Sequence, residues 1–450
     1  MKSNEHQEQM EKIVSLCKRR GFFFRGSEIY GGLAGFFDYG PLGVMIKKNV
    51  ENIWWNMFVD SPEDMHGLDA SLVMHPQTYQ ASGHAKNFAD PMVEDTKTKK
   101  RYRADHVLEE NGVDVVGLTP EQMNQIIVEK NIKSVDGNPF GEVTQFNMMF
   151  QTFVGANADA DSRTFLRPET AQGIFTNYKN VLDTLHPKLP FGIGQIGKSF
   201  RNEIAPRDFL FRVREFSQME VEYFVAPETW ETHFANFQAK VWDFISAVGI
   251  DTSKVSELEV ADEDRAFYSK RTIDFEFEYP FGKKELYGLA YRTDYDLKNH
   301  GEVSKVDLSY FDEEKKERFI PHVIEPSFGL ERTILAVLSS AYSEDEVNGE
   351  VRVFLKLKPE IAPYQFAVFP LLKNKPELVL KAREVYELLK KKGVRVIFDD
   401  NGNIGKRYRR QDEIGTPACV TIDFDTLEDA SVTVRDRDTG EQKRVKIEEL

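Results

Sequence analysis

The sequence predicts an α+β protein of two domains, a large one built on a mostly antiparallel sheet flanked by helices and a small α/β domain behind it. Three observations carry this. The chain has 450 residues, more than one hydrophobic core usually supports, so two or three domains are the starting expectation. From 165 to 328, strand-like runs such as 272–279 and 286–291 alternate with loops, the pattern of antiparallel pairing. Beyond a boundary near 351–363 the order becomes strand, helix, strand, helix, strand, which predicts parallel pairing. The expected domains are 1–350, with a unit inserted at about 94–146, and 358–450.

Along the chain, residues 10–20 read as a short amphipathic helix, and 21–40, rich in Gly, Phe and Tyr, as irregular. Pro41 suits the first position of a long helix, in which Leu42, Met45, Ile46, Val50, Ile53, Trp54, Met57 and Phe58 recur at three and four residues. Trp54, Trp55 and Phe58 widen its apolar face, which fits either a core helix or a subunit interface. Residues 94–146 are richer in charged and amide side chains, with turn signals at Asn111-Gly112 and Asp136-Gly137, as on a surface insertion. In the last part, strands are expected at 365–369, 394–398 and 418–422. Helices are expected at 376–392, ended by Gly393, and at 406–414, with a hairpin of 431–435 and 444–447 around Asp438-Thr439-Gly440.

Composition excludes several classes. Hydrophobic residues are 41% and charged residues 30%, an ordinary globular balance. No apolar run is long enough to span a bilayer, so no membrane partner is expected. Residues 1–10 are polar and acidic rather than signal-like, so a cytoplasmic location is expected. Cys17 and Cys419 lie far apart with no ligand spacing, so neither a structural zinc nor a disulfide framework is expected. The net charge of -15 gives no support to nucleic-acid binding, which favours basic surfaces.

Two stretches bear on chemistry. Gly192-Ile-Gly194-Gln-Ile-Gly197 fits the dinucleotide fingerprint, but that motif needs a helix to begin at its glycines. Lys198-Ser-Phe-Arg-Asn-Glu and Ala205-Pro206 follow instead, a strand running into a loop, so a dinucleotide fold is rejected. Next, Phe200-Arg201-Asn202-Glu203 and Arg207 to Glu220 read as two strands around a polar loop. Arg201 and Glu203, two apart, would share a strand face. Mixed charge of this kind is most often a solvated hairpin. It also suits a nucleotide site, where arginines bind phosphates bidentately and Phe216 stacks on a purine.

This stretch resembles motif 2 of the class II aminoacyl-tRNA synthetases. Pro41 and its helix resemble motif 1, the dimer interface of that class, and Pro326-Ser-Phe-Gly-Leu-Glu-Arg332 resembles motif 3. The three occur in the family's order. Residues 28–43 (Glu28-Ile-Tyr30 to Asp38-Tyr-Gly-Pro41-Leu-Gly43), Leu166-Arg-Pro-Glu169-Thr-Ala-Gln172-Gly173 and Arg292-Thr-Asp294-Tyr-Asp296-Leu are similar to the homodimeric glycine-specific branch. The resemblance runs over essentially the whole chain and includes an anticodon-binding last domain. Tyr291 departs from the branch, where an acidic residue commonly precedes Arg-Thr-Asp.

The resemblance implies a six- to seven-stranded antiparallel sheet with flanking helices and an enzyme that joins glycine to tRNA(Gly) with ATP. It implies that Arg201 binds the α-phosphate, Glu203 receives the adenine amino group, Arg212 reaches the β- and γ-phosphates, and Arg332 holds the γ-phosphate. Phe216 stacks on adenine, and Asn202, Phe211, Leu286 and Gly329 complete the ATP site. Glu285 is the candidate carboxylate for magnesium, which takes oxygen ligands and bridges phosphates. Glu169, Glu220 and Glu325 form an acidic pocket for the glycine ammonium with Ser327 and Gln218 beside it, and Arg292 and Arg103 hold the carboxylate. Glycine has no side chain to grip, so a tightly filled pocket must exclude larger ones, at roughly 1–3 kcal/mol for overpacking. Converging glutamates repel unless a cation completes the site. Lys406, Arg407, Arg409 and Arg410 around Tyr408 are either a solvated helix face or an anticodon contact.

Two rivals have discriminators. An accessory subunit of this fold would have lost Arg201, Glu203 and Arg332. A synthetase for proline, threonine or histidine would lack the Glu169, Glu220 and Glu325 trio, and a threonine enzyme would carry a Cys/His metal cluster.

Overall fold

The computed structural model describes residues 2–115, 117–159, 162–347 and 349–450. Met1, at the expected polar start, and Val116, inside the expected insertion, lie outside the described residues. The centre of the large domain is a seven-stranded sheet. Its strands are β1 (Met65–Gly67), β2 (Phe191–Phe200), β3 (Glu215–Val225), β4 (Val255–Glu259), β5 (Arg271–Tyr279), β6 (Gly282–Thr293) and β7 (His322–Gly329), in the order β4-β5-β6-β7-β3-β2-β1. All pairs are antiparallel except β1 with β2. The mostly antiparallel sheet expected from the sequence is therefore present.

The pleat sorts the strand residues by parity. On β3, Met219, Val221, Tyr223 and Val225 point into the main core. Phe216 and Gln218 alternate with them and line a cavity on the other side, and Glu220 continues that face, fully buried. Across the ladders, Ser327 and Glu325 of β7, Gly288 and Ala290 of β6, and Thr272 and Asp274 of β5 face the same cavity. Ile324, Phe328, Leu289, Phe275 and Ile273 pack behind them.

Helices α1 (Lys2–Arg20) and α2 (Pro41–Trp55) flank the sheet. α1 starts earlier than the expected residue 10. Residues 21–40 are not wholly irregular, since Phe23–Arg25 pairs with Phe37–Tyr39. Gly40 precedes α2 as its cap and Pro41 is its first residue. Trp54 and Phe58 are fully buried in the chain's own core, stacked on each other at 5.3 Å and packed on Phe328 at 6.1 and 5.1 Å. The choice left open for this face falls to the core at these two residues. Trp55 is partly buried and donates its indole N–H to Asp60 (3.0 Å).

The glycine-rich run lies wholly within β2, which confirms that it is no phosphate loop. Its glycines serve packing. A Cβ on Gly194 would meet Val59 at 2.6 Å, and one on Gly197 would run into the Arg167 guanidinium. Arg167 is buried and donates to the carbonyls of Lys198 (2.7 Å) and Ala70 (2.8 Å).

Ala89–Glu94 pairs with Arg101–Arg103 and Thr144–Asn147 to make a small sheet. The helices Ala104–Glu110 and Pro120–Glu129 close its own core of Val93, Val107, Leu108, Met123, Ile127 and Ile132. Thr119 and Gln122 form a reciprocal capping box ahead of the second helix. Thr119→Ala is expected to destabilise this unit by about 1 kcal/mol, read as faster amide exchange in residues 120–129 with unchanged exchange in β3.

The C-terminal sheet contains β8 (Phe366–Pro370), β9 (Val396–Phe398), β10 (Ala418–Ile422), β11 (Ser431–Asp436) and β12 (Gln442–Lys446), ordered β9-β8-β10-β11-β12. β8 is parallel to β9 and β10, and the last pairs are antiparallel. Among the described residues no helix is long and apolar enough to cross a membrane.

Candidate active site

Arg201 and Glu203 do not share a strand face as expected. β2 stops at Phe200, and the chain turns so sharply that the N–H of Glu203 donates to the carbonyl of Arg201 (2.7 Å), while that of Asn202 donates to Met148 (2.7 Å). The turn still brings Arg201 and Glu203 to one cavity of about 330 Å³, which Phe211, Arg212, Phe216, Glu285, Leu286, Gly329 and Arg332 also line. Asn202 lies beside this lining rather than in it. The loop is fixed by Arg214, which donates to the carbonyl of Glu203 (3.0 and 2.7 Å) and to that of Ala34 (2.9 Å). The Arg201 guanidinium lies 5.5 Å from the Phe88 ring and 5.3 Å from that of Phe216, and its Nε donates to the Pro168 carbonyl (3.1 Å). Arg332 stacks over Phe211 at 4.5 Å.

Glu285 is half-exposed and pairs with Arg332 (3.1 Å). Arg332 holds its carboxyl below the ordinary range against the opposing effect of burial. Asp274, which the sequence reading missed, lines the same wall, and burial together with Glu285 and Glu276 pushes it up to about 7. Crowded carboxylates at the cavity wall are a donor set that fits a hard divalent cation.

The inner end of the cavity is acidic. Glu220 is fully buried and accepts hydrogen bonds from Gln218 (2.9 Å), Ser327 (2.8 Å) and Thr170 (2.5 Å). Gln218 is held in turn, accepting from the Thr170 N–H (3.1 Å) and the Ser199 hydroxyl (3.3 Å). Glu169 accepts from Gln172 (2.9 Å) and meets His84 at 3.2 Å. Burial alone would raise its carboxyl, but His84 and Arg292 outweigh that and hold it below the usual range. Burial, and then the charge of Glu169, raise Glu220. Glu331, also missed, accepts from the Ser217 N–H and the Tyr39 hydroxyl (2.8 Å each), tying the start of the helix Leu330–Ala341 to β3 and the N-terminal hairpin.

Two of the expected carboxylate-binding arginines are committed elsewhere. Arg292 is completely buried and donates to Asp296 through Nε (2.7 Å) and Nη2 (2.9 Å) and to Glu325 through Nη1 (2.7 Å). It lies under the Tyr268 ring at 3.7 Å. It therefore positions Glu325 instead of lining the cavity. Arg103 donates to Asp90 (2.5 Å) and Asp105 (3.1 and 2.6 Å) within the inserted unit.

The basic helix of the last domain, Ile404–Ile414, is also largely engaged. Arg407 is buried and donates to the carbonyls of Pro370, Asp400 and Gly402. Arg409 pairs with Glu350 (2.5 Å), and Arg410 with Asp399 (2.6 Å). The Tyr408 hydroxyl meets that of Thr421 (2.7 Å) and its ring packs on Phe369 and Arg435. Lys406 is the exposed cation of the four.

An antiparallel sheet with a phosphate-suited arginine loop, joined to a mixed α/β domain, defines a class II synthetase architecture. A family model described as the tRNA synthetase class II core domain (G, H, P, S and T) matches residues 153–341, and one described as an anticodon binding domain matches 365–450. The chain is 51% identical over 452 residues to a glycine–tRNA ligase of Lachnospira eligens and 49% identical over 452 residues to one of Lachnoclostridium phytofermentans. It is 48% identical over 449 residues to one of Bacillus anthracis. Each match covers 98% of this chain and 97% of the relative. The chain belongs to the glycine–tRNA ligase family.

Proposed function

We propose that this chain activates glycine with ATP to glycyl-adenylate and diphosphate, then transfers glycine to the 3′ end of tRNA(Gly). What carries the reading is one cavity lined by arginines and by the buried Glu169 and Glu325, with the fully buried Glu220 hydrogen-bonded to its lining residues Gln218 and Ser327. In the first step a glycine carboxylate oxygen attacks the α-phosphorus, and the bond from that phosphorus to the bridging oxygen of diphosphate breaks. Two anions must approach, so fixed cations lower the barrier. Arg201 faces both the α-phosphate and, because Arg292 is occupied, the glycine carboxylate. Arg212 and Arg332 bind the outer phosphates, and Phe216 with Glu203 orients adenine. Glu285 and Asp274 would hold magnesium, which when bound supplies further neutralisation of phosphate charge. Glu169, Glu220, Glu325 and Ser327 receive the ammonium.

The tRNA is held by the last domain, and among the described residues of the basic helix Lys406 is the exposed cation that would meet it. We further infer a cytoplasmic homodimer. The exposed Ile29, Tyr30 and Leu33, just ahead of α2, support a self-association face, and sedimentation at micromolar concentration checks it. The function is tested by charging tRNA(Gly) transcript with labelled glycine. Label at the 3′ terminus is expected, and label lost on periodate oxidation of the terminal ribose beforehand confirms the position. A transcript left uncharged in the presence of ATP, magnesium and glycine contradicts the reading.

A further inference from the structure

Glu222 lies two residues beyond Glu220 on β3, so the pleat turns both to one face. The register Glu220↔Ser327 and Tyr223↔Ile324 sets Glu222 across from Glu325 on β7. Like charges directly opposite each other destabilise a sheet. All three glutamates are buried, and oxygens of the three lie within 4.8 Å of one another. Glu220 and Glu325 have donors, but neither oxygen of Glu222 has a partner among the described residues.

The groups facing Glu222 from the packed elements are Glu325, Arg292, Glu220 and Asp296, the last from the helix Tyr295–Ser304. Beyond them, Glu169 acts on Glu220 and Glu325 and pairs with His84, and Tyr268 covers Arg292. Arg292 is the arginine that faces Glu222, and Asp296 and Glu325 already take its hydrogen bonds. A bare carboxylate in such a place is costly, whereas a neutral carboxyl can donate to a neighbouring carboxylate. Burial, and then Glu325, push Glu222 well above the carboxylate range.

We propose that Glu222 holds a proton while the amino-acid pocket is empty and loses it to solvent when the glycine ammonium enters, making it a positioning residue for amino-acid binding. The ammonium keeps its own three protons. One proton leaves the protein, and the anion left on Glu222 is balanced by the incoming cation. This rests on the reading of Glu220 and Glu325 as the ammonium site. A larger amine gains the same charge balance but not the fit, so the device acts on binding strength and leaves steric selection to the walls.

Glycine is titrated calorimetrically into the full-length protein in two buffers of different ionisation enthalpy at one pH. The native protein is expected to release roughly one proton per glycine. Glu222→Gln, neutral at every pH, is expected to release close to none. In the native enzyme the KM for glycine should fall by up to tenfold for each unit rise in pH while Glu222 titrates, with kcat unchanged, and the variant's KM should be flat. A native enthalpy independent of buffer, or a native KM independent of pH, overturns the proposal, and so does undiminished proton release from Glu222→Gln. Failure of the native protein to bind glycine at all overturns the ammonium site itself, and the proposal with it.

Discussion

Replacing Arg201 with alanine is expected to lower kcat for glycine-dependent exchange of pyrophosphate into ATP by about 10²–10³-fold, the usual loss when one preorganised charge-stabilising donor is removed. The physical reason is position. Arg201 sits at the end of β2, anchored through Nε to Pro168 and ringed by Phe88 and Phe216. Its outer nitrogens are thus held toward the cavity without reorganisation during the reaction. The fold should survive, because the loop is fixed by Arg214 and by backbone bonds from Asn202 to Met148 and from Arg201 to Arg214. An alanine enzyme with near-native kcat would remove Arg201 from the reacting centre. Arg201→Lys should recover only part of the loss, since a point charge cannot reach a carboxylate and a phosphate together.

Glu220→Gln is expected to raise the KM for glycine by about 10–100-fold, the worth of a hydrogen bond to a charged group, and to leave the KM for ATP within about twofold. The substitution is nearly isosteric. The remaining oxygen can still accept from Ser327 or Gln218, and the Thr170 hydroxyl can rotate to accept the new amide N–H. What is lost is the charge facing the ammonium. Parallel loss of glycine and ATP binding would move Glu220 out of the amino-acid pocket and into the support of the sheet.

The comparison of these two residues also explains what the sequence could disclose. The family resemblance pointed to Glu220 and Gln218, and the two-residue step of the strand could have added Glu222. Pro41 marked the start of α2, and the Lys198-Ser-Phe run marked the glycine-rich segment as strand. Trp54 was ambiguous because its partner Phe328 lies 274 residues away in the chain, so no local pattern could place it in the core. The internal partners of Arg292, Arg103 and Arg407 were hidden for the same reason. Each arginine is neutralised or capped by acceptors, such as Glu325, Asp90 and Pro370, that only the fold brings near. Arg201 and Glu203 reached one cavity through a turn instead of a shared strand, since the backbone bonds of 202 and 203 leave the ladder. Asp274 was hidden by a run, 272–279, in which acidic residues alternate with apolar ones as they do on any half-exposed strand.

On this reading the buried acidic end of the cavity selects glycine for activation by ATP. Amino-acid-dependent exchange of labelled pyrophosphate into ATP, run separately with each of the twenty amino acids, tests it most directly. Exchange is expected with glycine, and only background exchange with alanine and serine, whose added side-chain atoms a tightly filled pocket excludes. Exchange with alanine or serine in the absence of any with glycine would contradict it.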